Sequence, residues 1–188
     1  MTDSGQVIKI IEAIGRTVSG QRDYLTALDQ PIGDSDHGIN LDRGFQAVSQ
    51  KLPGMEGKDI GAILKDVGMT LVSTVGGASG PLYGSAFMKA GAAAAGKYEI
   101  DADGFLELLD AMVPSLEAMR KARADGAAAK EMLIAGKEAA FKGAAHTKDL
   151  VATKGRASYV GERGLGHQDP GATSYAFLLE TIADCIQP

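Results

Sequence analysis

Three short loops of this 188-residue chain gather side chains that can do chemistry. The first is Gly33-Asp34-Ser35-Asp36-His37-Gly38, which follows Asp29 by only a few residues. Flanking glycines let a turn bend sharply enough to aim two carboxylates into one concavity, and Asp29 at the end of a preceding helix can join them. Three like charges held close repel strongly at intermediate dielectric, and a hard divalent cation relieves that repulsion. Ligation by a few carboxylates alone points to Mg2+, whose remaining positions take water or phosphate oxygens. The alternative is an Asx-type turn whose surface aspartates cap a helix beginning near Asn40.

The second loop is Gly76-Gly77-Ala78-Ser79-Gly80-Pro81-Leu82-Tyr83-Gly84. Consecutive glycines allow backbone N–H groups to face one hollow, and Ser79 adds a hydroxyl at the positive end of the next helix. The result is an anion cradle, or else a plain glycine-rich connector. It is not a Walker A loop, since no G-K-[ST] follows, and the Rossmann spacing and strand are missing. In the third loop, Gly164-Leu165-Gly166-His167-Gln168-Asp169-Pro170-Gly171, His167 and Asp169 suit a catalytic pair, a metal or nucleotide contact, or a rigid turn capping the last helix through Thr173 or Ser174. Upstream, Lys154, Arg156 and Arg163 offer cations to phosphate oxygens, or belong to a solvated loop. His146 reads as a surface residue, and Met69, Met88, Met112, Met119 and Met132 as core filler.

Amphipathic helices must position these loops. Val7, Ile10, Ile11, Ile14 and Val18 follow helical spacing, as do Ile60, Ile63, Leu64, Val67, Leu71 and Val75, and Tyr175, Leu178, Leu179, Ile182 and Ile186. Weaker patterns predict helices over about 21–28, 41–51, 82–96, 103–121 and 126–152. Pro114 should kink the fourth of these, because it removes an internal hydrogen bond. No segment alternates like a strand. With 25 Gly and 29 Ala among its residues, the chain favours closely packed helices and tight loops. The expected body is therefore an all-α antiparallel bundle or ring with its chemistry at the helix junctions.

Composition narrows the function classes. Hydrophobic residues make up 45% and charged residues 23%, which suits one soluble globular domain over 1–188. No apolar run reaches the roughly 18 to 20 residues that a bilayer span needs, and the N-terminus lacks a signal-peptide layout, so a cytoplasmic location without membrane contact is expected. Cys185 stands alone, which excludes an intrachain disulfide and a cysteine-clustered zinc site. A net charge of −5 with 5% aromatic residues is a poor basis for direct nucleic-acid binding.

The four segments Asp29 with Gly33–Asn40, Gly76–Gly84, Gly155–Tyr159 and Gly166–Ser174, in this order, closely resemble the nucleotide-binding L subunit of dihydroxyacetone kinase of the phosphotransferase-system-dependent type. The resemblance spans nearly the whole chain. It implies an antiparallel eight-helix barrel that holds ADP or ATP and two Mg2+ ions in loops at one rim. By the resemblance, Asp29, Asp34 and Asp36 are metal ligands, and His37, Gly38, Ile39 and Asn40 lie against the phosphates. Ala78 and Ser79 contribute from the glycine-rich loop, Arg156 lies near the nucleotide, and Asp169, Pro170 and Gly171 close the site.

The resemblance also implies the chemistry. Resident ADP takes phosphate from a phosphohistidine-carrying subunit and passes it to dihydroxyacetone held on a separate K subunit, with no protein nucleophile and a transcription regulator as a further partner class. Two alternatives stay open: a component of an ATP-dependent kinase with exchangeable ATP, and a nucleotide-sensing regulatory module. One departure stands out. Family members carry a covering segment of the type G-K-x-x-x-G-x-K-T-M after the middle helix, whereas here Phe105–Leu109 runs straight into Asp110–Pro114. The expectation is an omitted loop near 109–110 rather than a true loss, because deleting a lid would speed the escape of a resident nucleotide.

Overall fold

Apolar stripes at helical spacing become eight α-helices among the residues that this computed structural model describes, 1–112 and 117–186. They are α1 (Ser4–Asp29), α2 (His37–Lys51), α3 (Ile60–Thr74), α4 (Ser79–Ala93), α5 (Ala102–Met112), α6 (Glu117–Ala124), α7 (Ala129–His146) and α8 (Pro170–Cys185). Among the described residues α1 to α5 pack each on the next, as do α6 to α8, α5 touches α7, and α8 returns to α1, so the antiparallel ring closes. Its interior takes the predicted stripes, including Ile11, Ile14, Phe45, Ile63, Leu71 and Leu179. No helix among the described residues is long and apolar enough to cross a membrane.

The predicted helices over 7–18 and 21–28 are one. A capping box starts α1, with Asp3 accepting from Gln6 N at 2.7 Å and the Gln6 side chain accepting from Asp3 N at 3.0 Å. Gly20 costs a helix interior about 1 kcal/mol, which the buried stripe from Val7 to Leu25 outweighs. Asp29 therefore ends a 26-residue helix anchored along the core, not a short free one.

The predicted 103–121 helix is divided between α5 and α6. α5 continues through Leu109 and Asp110 to Met112, while Pro114 and its expected kink lie outside the described residues. Short 3-10 turns follow α7 at Thr147–Asp149, Arg156–Tyr159 and Gly161–Gly164. Against the expectation of no strand, β1 (Thr2–Asp3) pairs antiparallel with β2 (Glu99–Ile100), a pairing too short to leave an alternating pattern.

The alternation of helix directions sorts the loops into two rims. Residues 30–36, 75–78 and 147–169 share one rim; the β1–β2 pair and the connections 52–59, 94–101 and 125–128 share the other. α3 and α4 fix part of the first rim by backbone contact. A Cβ on Gly68 would sit 2.6 Å from Gly84 O, and one on Gly80 would sit 2.3 Å from Val75 O. Only glycine permits this approach, and it holds the end of α3 and the start of α4 at a set separation beside α2.

Candidate metal and anion site

At the first rim, α1 ends on Asp29 and the chain turns through 30–36 into α2. The buried Asp29 carboxylate accepts from Asp36 N at 3.0 Å and from His37 N at 3.3 Å, which folds the loop back over the helix end. Gly33 is required for space, since a Cβ there would fall 1.9 Å from Asp29 Oδ1. The sharp bend itself is made by Ser35, whose φ is 61°, and not by Gly33 or Gly38 as the glycine bracket suggested. Gly38 likewise serves close packing, because its Cβ would meet Arg22 O at 2.0 Å where α1 crosses α2.

One carboxylate oxygen from each of Asp29, Asp34 and Asp36 lies within 4.8 Å of the others. Asp36 occupies the N-cap position of α2 but makes no side-chain cap bond, so the Asx-turn alternative is not what this loop builds. Unneutralised charges at that spacing repel by on the order of 3 kcal/mol per pair at an effective dielectric near 20. The Arg156 guanidinium, 2.8 Å from Asp34, offsets one of the three charges. Hard oxygen donors with two negative charges in excess fit a divalent cation such as Mg2+.

The glycine-rich loop lies beside this cluster. Gly77 has a φ of 64°, Ala78 is the N-cap of α4 without a side-chain cap bond, and half-buried Ser79 begins the helix. First-turn amides of a helix have no intrahelical acceptor and carry its positive pole, so they suit an anion. Asn40, buried on the first turn of α2, has its Oδ1 held by Arg43 Nη2 at 2.7 Å, which directs its amide NH2 elsewhere. Arg43 Nε also donates to Thr74 O at 2.9 Å and so ties the end of α3 to α2. Ile39 is 41% exposed beside them, an apolar surface at the mouth of the site.

His37 is buried, and both of its ring nitrogens face hydroxyls: Nδ1 lies 3.2 Å from Ser79 Oγ and Nε2 lies 2.9 Å from Ser174 Oγ. Burial lowers its pKa, and the charges of Asp29, Asp169 and Asp36 oppose that shift. The Tyr83 hydroxyl lies 2.6 Å from Ser174 Oγ, and burial pushes its pKa up to about 12. Ser174 therefore serves this cluster, and the cap of α8 is Asp169, which accepts from Ala172 N at 2.7 Å. Asp169 N in turn donates to Thr147 Oγ1 at 2.9 Å. Pro170 is buried as the first residue of α8, and Gly171 O accepts from Ser174 Oγ at 3.0 Å.

The exposed His167 makes no hydrogen bond to Asp169 among the described residues, so the two do not form a pair. His146 is exposed as expected, with Asp149 3.3 Å away. The sequence reading missed Arg43, Ser174 and Tyr83 as members of the site. Arg43 follows Asn40 by one helical turn and Tyr83 follows Ser79 by one turn, which was the available signal; Ser174 reaches His37 across 137 residues and left none.

An all-helical ring with a carboxylate cluster beside the open start of a helix at one rim defines a class of domain suited to a divalent cation and an anion. The DAK2 domain model matches residues 31–113 and 107–184. The ADP-binding subunit DhaL of the PEP-dependent dihydroxyacetone kinase of Escherichia coli is 40% identical over 199 residues, covering 95% of each chain. The corresponding subunit of the PTS-dependent kinase of Lactococcus lactis is 39% identical over 192 residues, covering 94% of this chain and 96% of the relative. In structure, the chain is similar to the dihydroxyacetone kinase of C. freundii, with a TM-score of 0.71 in the native form and 0.64 in the complex with AMP-PNP and Mg2+. Those matches are 22% identical and cover 97% of this chain but about a third of the C. freundii chain.

The chain belongs to the DAK2 domain family, among the ADP-binding subunits of PEP- or PTS-dependent dihydroxyacetone kinase. The aligned span with the E. coli relative exceeds this chain's own length of 188, and the two stretches that the family model matches overlap at 107–113. The relative thus carries residues without a counterpart here.

Proposed function

We propose that this subunit holds ADP through Mg2+ at the Asp29–Asp34–Asp36 rim, takes phosphate from a phosphohistidine partner, and delivers it to dihydroxyacetone bound on a separate K subunit. The convergence of three carboxylates within 4.8 Å beside the open N-terminus of α4 carries this reading. Two Mg2+ ions are proposed, the number that the family resemblance implies. Held by Asp29, Asp34 and Asp36, Mg2+ would supply charge screening for the phosphoryl group in transfer.

The chain's own residues bind and orient. Asp29 holds the loop through two backbone amides while offering its other oxygen to metal. The backbone amides of Gly38 and Ile39, the Asn40 side-chain amide and the amides of Ala78 and Ser79 would face the phosphates, and Arg43 ties Asn40 to the end of α3 that leads into the second segment. Arg156 exchanges Asp34 for the nucleotide phosphates once metal binds. Asp169, Pro170 and Gly171 brace the side of the site at the start of α8. The reading assigns no covalent phospho-intermediate to a side chain, in keeping with a His37 ring whose two nitrogens both face hydroxyls. The protein's contribution is positioning.

We further propose a cytoplasmic location, one phosphotransfer domain over 1–188, and a covering segment that belongs near 109–110 in the working protein, supported by the longer aligned span of the relative and by the change from one family match to the next at 107–113. An intact mass above 19.4 kDa would show that segment. The function is tested by supplying purified protein and K subunit with a phosphohistidine donor and dihydroxyacetone, without added ATP. Dihydroxyacetone phosphate should form at the expense of the donor. Formation only with added ATP would instead establish the ATP-dependent kinase component, and ADP binding without any transfer would establish a regulatory module.

A further inference from the structure

We propose that Ser174 and Tyr83 are positioning residues that act through the His37 ring to turn the Ser79 hydroxyl outward, as a donor to bound phosphate. This rests on the reading that the glycine-rich loop receives phosphate. The observation is a continuous hydrogen-bonded row across three helices: Tyr83 of α4 to Ser174 of α8 at 2.6 Å, Ser174 to His37 Nε2 of α2 at 2.9 Å, and His37 Nδ1 to Ser79 at 3.2 Å. Its inner members are buried, with Ser174 at 0% and Tyr83 at 6% exposure. Burying such groups costs free energy that apolar side chains of similar shape avoid, so a row of them ending at the site calls for a use.

Counting protons gives that use. Each hydroxyl has one hydrogen to donate, and a neutral imidazole carries one on either nitrogen. In the outward setting, Tyr83 donates to Ser174, Ser174 donates to Nε2, and Nδ1–H donates to Ser79. The Ser79 hydrogen is then free for the cradle. In the inward setting, Ser79 donates to Nδ1, Nε2–H donates to Ser174, and Ser174 donates to Gly171 O, 3.0 Å away. Ser79 then shows only lone pairs to the cradle, which repel a phosphate oxygen. A phosphate oxygen that only accepts selects the outward setting. The protonated Tyr83 hydroxyl has two acceptors in reach, Ser174 Oγ at 2.6 Å and Gly171 O at 3.5 Å, and it begins the row of the outward setting by donating to Ser174.

The test uses the full chain with Mg2+ and ADP, reading the His37 ring nitrogens by two-bond 1H–15N correlation and ADP affinity by calorimetry. In the complex the proton should reside on Nδ1. Ser174→Ala should weaken ADP binding about tenfold and Tyr83→Phe about threefold, the sizes expected for losing a near and a remote hydrogen bond. In a Ser79→Ala background the Ser174→Ala loss should vanish, because its effect passes through Ser79. Thermal unfolding separates this from damage to the core, which would lower affinity equally in both backgrounds; should Ser174→Ala fail to fold, the Tyr83→Phe cycle carries the same test. A proton on Nε2 in the complex, or additive losses, overturns the relay while leaving the kinase reading standing. Absence of ADP binding by the unaltered protein overturns both.

Discussion

The two rims of the barrel are made from the same parts, helix ends, glycines and aspartates, yet they use their carboxylates in opposite ways. At the far rim, Asp59 caps α3 by accepting from Ala62 N at 3.1 Å and also binds Gly96 N at 3.1 Å, while Asp103 is clamped by Arg123. At the site rim, Asp36 sits at the N-cap of α2 without capping it, and Asp34 faces one exposed guanidinium. A loop aspartate surrounded by amides is a fastener. A loop aspartate facing other aspartates is what we propose as a ligand.

Substitutions can break or sharpen this contrast. Asp29→Ala should have the largest effect, because Asp29 alone plays both parts. Loss of a metal ligand should abolish measurable ADP binding, and two loop amides left without their acceptor should lower unfolding stability by about 2 kcal/mol in denaturant melts. Asp34→Ala should separate the two roles. ADP affinity should fall at least about tenfold in calorimetry, with stability changed by less than about 0.5 kcal/mol and an unaltered circular dichroism spectrum; a lost fold with nucleotide retained would contradict the assignment. Arg43→Ala, which frees Asn40 and the end of α3, should weaken ADP binding about threefold, the loss of an indirect contact.

The smallest effect belongs to the far rim. Asp59→Ala should lower the melting temperature and leave ADP affinity unchanged. The amides of Ala62 and Gly96 hold the Asp59 carboxyl below its ordinary pKa. Its stabilising contribution is therefore present above the ordinary Asp value and is lost as pH falls through the lower folded value. The melting-temperature gap between variant and parent should close over that acidic range. A gap unchanged across it would mean that Asp59 fastens nothing.

Much of this contrast was legible in the sequence. The strongest stripes, such as Ile60 to Val75, gave their helices directly, because burial on one face repeats with the helical period. The aspartate cluster was legible because Asp34 and Asp36 share one loop and Asp29 ends the helix before it. Less visible was which aspartate caps and which does not: Asp36 and Asp169 both precede helices, and only the surrounding carboxylates distinguish them. Gly33 looked like a bend and proved to be room for the Asp29 carboxylate, while Ser35 took the positive φ. The row from Tyr83 to Ser79 depends on the first turn of α8 bringing Ser174 within hydrogen-bond reach of His37 and Tyr83, a tertiary fact that no local spacing carries.

The central claim is that divalent ions couple the aspartate cluster to the diphosphate. Titrating ADP into nucleotide-stripped protein by calorimetry, with Mg2+ and then with a chelator in its place, tests it most directly. Tight binding with Mg2+ that disappears on chelation is the predicted result. Equal affinity in both conditions would contradict the account.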